Sequence, residues 1–371
     1  MAQSSIDLKQ LREYLLERAR QSGFVAVRLL EQSRYAHLPE VLEYVEGAPT
    51  LLLVALPYGN RLTSPFPPPP GWKVLALQEP PLAGLSGLKG RDSSEEKPLA
   101  LEKELRRGKA LPERRETSGP LKRPRAPQAV PGYIAPFAVR NYYGELVHRL
   151  KLFAADLRSR WGGRKGDFRI FCNSHLPERE LCLRSGLGWQ GRHGLLITPQ
   201  AGSLVVLGGM GLPWPLPGDT PFPGVLEGDF PACRRCMKRY PPESLPCVAA
   251  CPTAALAGDG TLRRERCIQW YASGHADPPP DIQTVWGHRL YGCTNCQDAC
   301  PYHQRDIPGV LTKRGALPAV MDVQRVFSLE EGELASYLRG TTLGMRWLGV
   351  PVLKQNAARI LAWHERFFCG E

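Results

Sequence analysis

The sequence predicts a mixed α/β (α+β) fold, and three observations support this. Apolar runs of strand length alternate with helical patterns in the first part of the chain, which is typical of an α/β domain. Eight of the eleven cysteines lie between Cys233 and Cys300. Beyond Pro308, apolar residues recur at helical spacing over 329–338 and 345–368. The predicted regions are a first α/β domain at 1–225, a cysteine-rich domain at 226–308 and a helical region at 309–371.

The first domain is predicted from its periodicity. Residues 7–22 form an amphipathic helix, since Leu8, Leu11 and Leu15 recur on one face and Gly23 is placed to end it. Apolar runs of strand length and helical spacing predict the remaining elements. These are strands at 24–30 and 50–58, a helix from Asn141 to about Arg160, a strand at 168–172, a short helix opened by Pro177, and strands at 195–198 and 203–207.

Residues 61–131 differ in composition from the rest of the first domain. They contain 13 prolines and 14 Lys/Arg against 8 Asp/Glu. Proline at this density opposes regular structure, so we expect a long insertion without a packed core, either a solvated loop or a contact for an anionic partner.

The chain is basic, with 48 Lys+Arg against 36 Asp+Glu and a formal net charge of +12. This excess suits a polyanionic partner such as nucleic acid, and equally an ordinary basic enzyme. No apolar run is long enough for a membrane span, and the first residues lack the pattern of a secretory signal. We therefore expect a cytoplasmic protein without a membrane segment.

The cysteine spacing is the most specific feature of the sequence. It reads Cys-x2-Cys-x10-Cys-x3-Cys-Pro from Cys233 to Pro252, then Cys267, then Cys-x2-Cys-x3-Cys-Pro from Cys293 to Pro301. In a reducing compartment such clusters indicate metal rather than disulfides. Soft thiolates without histidine suit iron–sulfur or zinc.

The two Cys-x3-Cys-Pro endings resemble those of a bacterial two-cluster ferredoxin, in which the last cysteine of each run ligates the other cluster. The resemblance implies two [4Fe–4S] clusters in a ferredoxin-like domain, with zinc or a mixed site as the alternative. The ten-residue spacer after Cys236 departs from the ferredoxin pattern and must loop out. The implied ligands are Cys233, Cys236, Cys247 and Cys300 for one cluster, and Cys267, Cys293, Cys296 and Cys251 for the second.

The stretch from Cys172 to Arg192 resembles the epoxyqueuosine reductases, which are cobalamin-dependent iron–sulfur enzymes that complete queuosine in tRNA. It carries their Ser, Pro, Glu-Arg and Gly-Leu-Gly-Trp-x-Gly-Lys pattern, with arginine replacing the lysine. Further blocks match around Cys267, at Tyr291 to Gln297 and at Asn356 to Ala358. Taken alone, the glycines would equally fit a tight turn.

The resemblance implies an enzyme that binds cobalamin beside the clusters and removes the epoxide oxygen from a tRNA-borne ring. It further implies an electron donor such as flavodoxin or ferredoxin, and we expect a monomer. The residues that it assigns to cobalamin binding are Ser174, Gly188, Trp189, Gly191 and Arg192.

One motif departs from the family. Its Arg-Asp-Tyr-His, whose aspartate is held to donate a proton, appears here as Arg140-Asn141-Tyr142-Tyr143. Asparagine has no titratable proton, so Asn141 and Tyr142 are catalytic candidates with Tyr143 as a further phenol donor, or the tyrosines simply pack at a helix start. The alternatives to epoxyqueuosine reduction are a corrinoid reductase with another substrate and an electron-transfer protein without catalysis.

Overall fold

The computed structural model describes residues 6–59, 130–226, 228–303, 307 and 309–369, all within one compact unit. The predicted insertion at 61–131 lies outside the described residues, except for its last two. The helices are α1 (Leu8–Gln21), α2 (Pro39–Tyr44), α3 (Tyr142–Trp161), α4 (Glu178–Arg184), α5 (Arg234–Met237), α6 (Pro246–Ala249), α7 (Ile268–Ala272), α8 (Pro280–Thr284), α9 (Asn295–Asp298), α10 (Val323–Ser328), α11 (Glu331–Leu338) and α12 (Val350–His364). The strands are β1 (Ala26–Glu31), β2 (Thr50–Pro57), β3 (Pro131–Ile134), β4 (Ile170–Phe171), β5 (Trp189–Gln190), β6 (Leu196–Ile197), β7 (Val205–Leu212), β8 (Arg289–Tyr291) and β9 (Val320–Asp322).

The main sheet has the strand order β1-β2-β7-β4, and every neighbouring pair is antiparallel. The predicted mixture of helices and strands is therefore confirmed, and α+β describes it better than α/β. The alternation of elements in a sequence does not fix strand direction, and the short α2 connection returns β2 against β1.

Strand β2 is the centre of the first region, and all eight of its residues are buried. Its side chains alternate between two cores, because successive residues of a strand point to opposite faces. Leu52 and Val54 pack in a core with α1 and α3, whereas Leu51 and Leu53 pack in a core with α2 and α4. Burial on both faces explains why the strand reads as an unbroken apolar run.

Strand β7 extends to Leu212, five residues beyond the predicted end at 207. Glycines within it weaken the sequence signal for a strand, but the fold needs them. A Cβ at Gly209 would lie 2.4 Å from the carbonyl oxygen of Leu52, and one at Gly208 would lie 2.7 Å from Leu146 Cδ2. The missing side chains let β2 and α3 approach β7 closely.

A second sheet joins segments that are distant in sequence, with β3 lying between β8 and β9. Its core includes Ile134, Trp286 and Leu290 together with Leu338 and Ile360 from the C-terminal helices. The helices predicted in this region are present as α11 and α12. Among the described residues, no helix is both long and apolar enough to cross a bilayer.

Candidate cluster sites and the adjoining cavity

The cysteines assigned to the first cluster meet at one small cavity. It is lined by Cys233, Cys236, Cys247 and Cys300, of which the last comes from the distant second run. The backbone N–H of Arg192 donates a hydrogen bond to Cys233 Sγ at 3.3 Å. The spacer after α5 forms a short helical turn at 242–244 and returns at Pro246, where α6 begins.

Cys251, Cys267, Cys293 and Cys296 form a second group, which lines a larger cavity of about 650 Å³. The backbone N–H of Ala255 donates to Cys251 Sγ at 3.3 Å. The two groups therefore exchange the last cysteine of each run, in the pattern that the ferredoxin resemblance implies.

The prolines after Cys251 and Cys300 contribute to this exchange. Helices α6 and α9 each end two residues before the last cysteine of the run, at Ala249 and Asp298. Proline cannot continue a helix, since it lacks an N–H and its ring clashes with the preceding turn. The proline therefore keeps either helix from resuming after the cysteine that contributes its sulfur to the other group.

Burial disfavours the thiolate form of most of these cysteines. It raises the pKa of Cys236 to about 11 and that of Cys247 to about 12, and it also raises the pKa of Cys300 and Cys296. The ten cysteines from Cys172 to Cys300 are free thiols. A bound metal deprotonates such thiols directly. In the described part of the chain, no three or more Cys, His, Asp or Glu side chains are arranged to hold a single metal ion.

The larger cavity also borders the first region of the chain. Its other walls include Val205 to Leu207 at the start of β7, Tyr143 on α3 and Glu178 at the start of α4. Both the backbone N–H and the Oγ–H of Ser174 donate to Glu178 Oε1, each at 2.9 Å. Burial outweighs these hydrogen bonds and raises the pKa of Glu178 above its ordinary value. The second group of cysteines and the Glu178 carboxyl therefore line the same cavity.

A buried hydrogen-bond network connects the cysteine-rich region to the main sheet. Gln297 Nε2 donates to Tyr58 Oη at 2.8 Å and to the carbonyl oxygen of Ser203 at 2.9 Å. The backbone N–H of Ser203 donates to His303 Nε2 at 2.8 Å, and His303 Nδ1 lies 2.6 Å from the Gln297 carbonyl oxygen. Gln297 follows Cys296 directly, so this network holds one wall of the cavity against the other.

The structure places Asn141 and Tyr142 away from the cavity lining. Asn141 is the N-cap of α3: its Oδ1 accepts from the Gly144 N–H at 2.8 Å and its Nδ2 donates to the Gly340 carbonyl oxygen at 2.9 Å. Tyr142 is buried in the core beneath α3. Of these motif residues, Tyr143 lines the cavity, where its ring lies edge-on to Trp347.

The residues assigned to cobalamin lie mostly beside the first thiol group. Ser174 is the exception, because it orients Glu178. The Trp189 ring packs on Phe222 at a centroid distance of 4.4 Å, and Arg192 places its guanidinium 3.9 Å from the Phe230 ring centroid. Gly188 and Gly191 permit tight packing, since a Cβ would lie 2.4 Å from the Ile197 carbonyl oxygen and 2.6 Å from the His193 ring respectively.

Two cavity residues were missed in the sequence. Glu178 reads as a first-turn carboxylate that suits the helix dipole, and nothing in the sequence shows that it faces a cavity. His193 lines both cavities, and burial lowers its pKa to about 3. Its Nδ1 accepts from the Leu195 N–H at 3.2 Å, while its buried Nε2 has no hydrogen-bond partner among the described residues.

Comparison of the sequence with known proteins finds a matching family model and several relatives. Residues 231–303 match the family model of a 4Fe-4S double cluster binding domain. An epoxyqueuosine reductase of Salmonella typhimurium is 32% identical over 237 residues, which cover 61% of this chain and 57% of that protein. The Escherichia coli epoxyqueuosine reductase is 32% identical over 176 residues, covering 47% of this chain and 42% of the relative. The chain thus matches about half the length of these relatives.

Solved structures extend the similarity to the fold. The epoxyqueuosine reductase of Streptococcus thermophilus superposes with a TM-score of 0.64 at 18% identity, covering 95% of this chain and 81% of that one. A crystal structure of an epoxyqueuosine reductase with an epoxyqueuosine-modified tRNA-Tyr stem loop gives 0.63 at 20% identity, covering 97% and 83%. The predicted resemblance to epoxyqueuosine reductases and the iron–sulfur domain are confirmed.

Proposed function

We propose that this protein is an oxidoreductase that uses two [4Fe–4S] clusters and cobalamin to reduce epoxyqueuosine to queuosine in tRNA. The observation that carries the proposal is that the second thiol group shares a cavity with Glu178 and Tyr143. A cluster held by these thiols and a proton source would therefore border the same space. The substrate is inferred from the relatives named epoxyqueuosine reductase and from the structural neighbour that holds a modified tRNA stem loop.

The proposed ligands of the first cluster are Cys233, Cys236, Cys247 and Cys300, and those of the second are Cys251, Cys267, Cys293 and Cys296. Four thiols converge on each cavity, and the N–H groups that donate to sulfur suit anionic thiolates. The second cluster would border the larger cavity, so it would be the one next to the cofactor.

The larger cavity has features that fit cobalamin. Leu195, Leu262 and Trp347 line it although each is at least 39% exposed, so they present apolar surface that a bound ring would cover. The Oε1 atom of Gln269, another lining residue, is buried without a hydrogen-bond partner among the described residues. A corrin ring carries amide side chains that would donate to this oxygen.

Cobalamin, when bound, would supply a reduced, strongly nucleophilic metal centre. The chain's own residues would bind and orient it and would exclude water from one side. In this proposal β7 and Tyr143 of the first domain (1–225) form one wall, the cluster domain (226–308) forms the opposite wall, and Trp347 from the region 309–371 lies at the rim.

We place the electron donor on the exposed surface of α5 and the spacer that follows it. Arg235, Lys238 and Arg239 are exposed there and flank Cys236. Such a surface complements an acidic one-electron carrier such as flavodoxin or ferredoxin. A monomer in the cytoplasm, with tRNA bound through the basic surface, completes the proposal.

The donor surface can be tested through cluster reduction alone. Charge reversal in an R235E/K238E variant should slow reduction by flavodoxin about 10-fold or more at low salt and leave reduction by dithionite unchanged. A double reversal on α3, R158E/K151E, is the matched control, because both residues are exposed and α3 packs on the main sheet whereas α5 lies in the cysteine-rich region. Equal slowing by both variants would contradict the placement.

The proposed activity is tested by anaerobic reconstitution with iron, sulfide and cobalamin, followed by epoxyqueuosine-tRNA and a low-potential reductant. We expect the tRNA to contain queuosine after digestion and mass spectrometry. Bound cobalamin without turnover would instead indicate a corrinoid reductase with another substrate. No cobalamin binding would indicate an electron-transfer protein, and zinc in place of iron would remove the basis of the proposal.

A further inference from the structure

Glu178 is the one carboxyl group among the described residues that line the large cavity. It begins α4, directly after the loop that leaves β4. Ser174 fixes its Oε1 with two hydrogen bonds, and the backbone N–H of Asn173 also donates to the carboxyl. Asn173 has a positive φ of 50°. Asparagine adopts this conformation more readily than most residues other than glycine, so it suits this turn of the loop.

The groups that face Glu178 carry no charge at neutral pH. They are Tyr143 from α3, Cys172 from the end of β4 and Cys182 from α4 itself. Burial raises the pKa of all three, so the phenol and both thiols stay protonated. Since no cation among the described residues offsets it, burial likewise raises the pKa of Glu178. A carboxyl group in these surroundings holds its proton closer to neutral pH than an exposed one.

In the predicted resemblance, Asn141 stands where the related motif has its aspartate. Both of its polar side-chain atoms are already hydrogen-bonded, Oδ1 in the cap of α3 and Nδ2 to the Gly340 carbonyl oxygen. We propose that Glu178 is the general acid that protonates the leaving oxygen of the substrate in this protein. This inference rests on the proposed function, because it assigns a residue to that reaction.

The step balances as follows. An epoxide, two electrons and two protons give an alkene and water. A low-potential one-electron carrier, reduced flavodoxin or ferredoxin, is oxidised twice, and the two ring carbons are reduced. As the first C–O bond breaks, Glu178 Oε2 or Oε1 gives its proton to the oxygen and becomes a carboxylate. The second C–O bond then breaks, and the hydroxyl leaves as water with a proton that enters from solvent.

Tyr143 is the competing proton donor, since it lines the same cavity and lies close enough to Glu178 for the carboxylate charge to raise the pKa of its phenol. A phenol has an ordinary pKa near ~10, several units above that of a carboxyl group. Burial raises the pKa of Tyr143 further. Proton transfer to a leaving alkoxide is therefore more favourable from Glu178, and Tyr143 serves better to orient the substrate.

The test compares four variants of the reconstituted full-length protein: Glu178→Gln, Glu178→Asp, Tyr143→Phe and Glu180→Gln. Glu180 is the matched control, because it lies on the same helix but forms an ion pair with Arg184 at 2.8 Å. Circular dichroism, iron content and the cobalamin absorption spectrum check that each variant folds and binds its cofactors. Infrared difference spectra across pH, wild type against Glu178→Gln, report the protonated carboxyl directly.

We expect Glu178→Gln to lower kcat by about 10²- to 10⁴-fold, Glu178→Asp to retain part of the rate, and Glu180→Gln to change it less than 3-fold. Wild-type kcat should fall as pH rises through the pKa of Glu178, because only the protonated acid works, and this fall should be absent from Glu178→Gln. A Glu178→Gln variant with wild-type kcat, or a Glu178 carboxyl already ionised at pH 5, would overturn the inference. Wild type with cofactors bound but without turnover would overturn the proposed function itself.

Discussion

Replacing Asn141 with Asp introduces the residue type that the sequence resemblance predicts for the related motif at this position. The structure predicts a loss of stability. The Asp would keep an oxygen for the Gly144 N–H, and its charge at the start of α3 contributes about 0.3–1 kcal/mol. The Asp would lose the 2.9 Å hydrogen bond from Nδ2 to the Gly340 carbonyl oxygen. Its second carboxylate oxygen would instead lie next to that carbonyl oxygen, at a position where Asn141 is only 8% exposed. An unsatisfied buried group costs about 1–3 kcal/mol.

The net expectation for Asn141→Asp is a free energy of unfolding lower by about 1 to 2 kcal/mol. Urea denaturation of the apoprotein measures it without any assumption about activity. Asn141→Ser is the matched variant, because it keeps a capping oxygen but has neither the amide donor nor the charge. Comparing the two separates the lost hydrogen bond from the added carboxylate.

The same variant tests where the acid lies. Because Asn141 does not line the cavity, we expect kcat with epoxyqueuosine-tRNA to change less than about 3-fold. A rise of 10-fold or more would show that the loop carrying Asn141 reaches the substrate during turnover. That result would contradict the conclusion that Asn141 serves only as the cap of α3. It would also count against Glu178 as the general acid.

Two further predictions concern the thiol groups and the glycine motif. A Cys233→Ser/Cys300→Ser double variant should keep about four irons per chain if both residues serve one cluster, whereas nearly complete iron loss would mean that Cys300 serves the other. Gly188→Ala should lower the free energy of unfolding by about 1–3 kcal/mol, since its Cβ would lie 2.4 Å from the Ile197 carbonyl oxygen. Gly332→Ala on α11, where a Cβ meets nothing within 4 Å, should raise it by at most about 1 kcal/mol, and wild-type stability for both would contradict the packing argument.

Periodicity in the sequence was sufficient to predict helices that bury one apolar face and strands that are continuous apolar runs. Helix α1 was predicted over 7–22 and lies at Leu8–Gln21, and β2 was predicted over 50–58 and lies at Thr50–Pro57. Strand β7 was predicted too short, because glycines carry no strand signal even where backbones must approach closely. The short helices and turns of the cysteine-rich region carry too few residues for a periodic pattern to show.

The cavity shows more clearly which features of the structure cannot be predicted from the sequence pattern. Glu178 and Glu180 stand in the same first turn, and both read as partners of the helix dipole. Two residues apart on a helix point in nearly opposite directions, so one carboxyl faces the cavity and the other pairs with Arg184 on the outer side. Which face turns inward is decided by the packing of α4 against the sheet, and that contact is distant in sequence.

Gln297 explains how the two walls of this cavity keep their spacing. Its amide donates to Tyr58 and Ser203 next to β7, while its neighbour Cys296 belongs to the second thiol group. A cluster held by Cys296 is thereby tied to the sheet that borders Glu178. Buried networks of this kind hold a single geometry because each unpaired member would be costly. In the proposed function, electron and proton delivery to one substrate would require a fixed distance between the two walls, and this buried amide bridge would supply it.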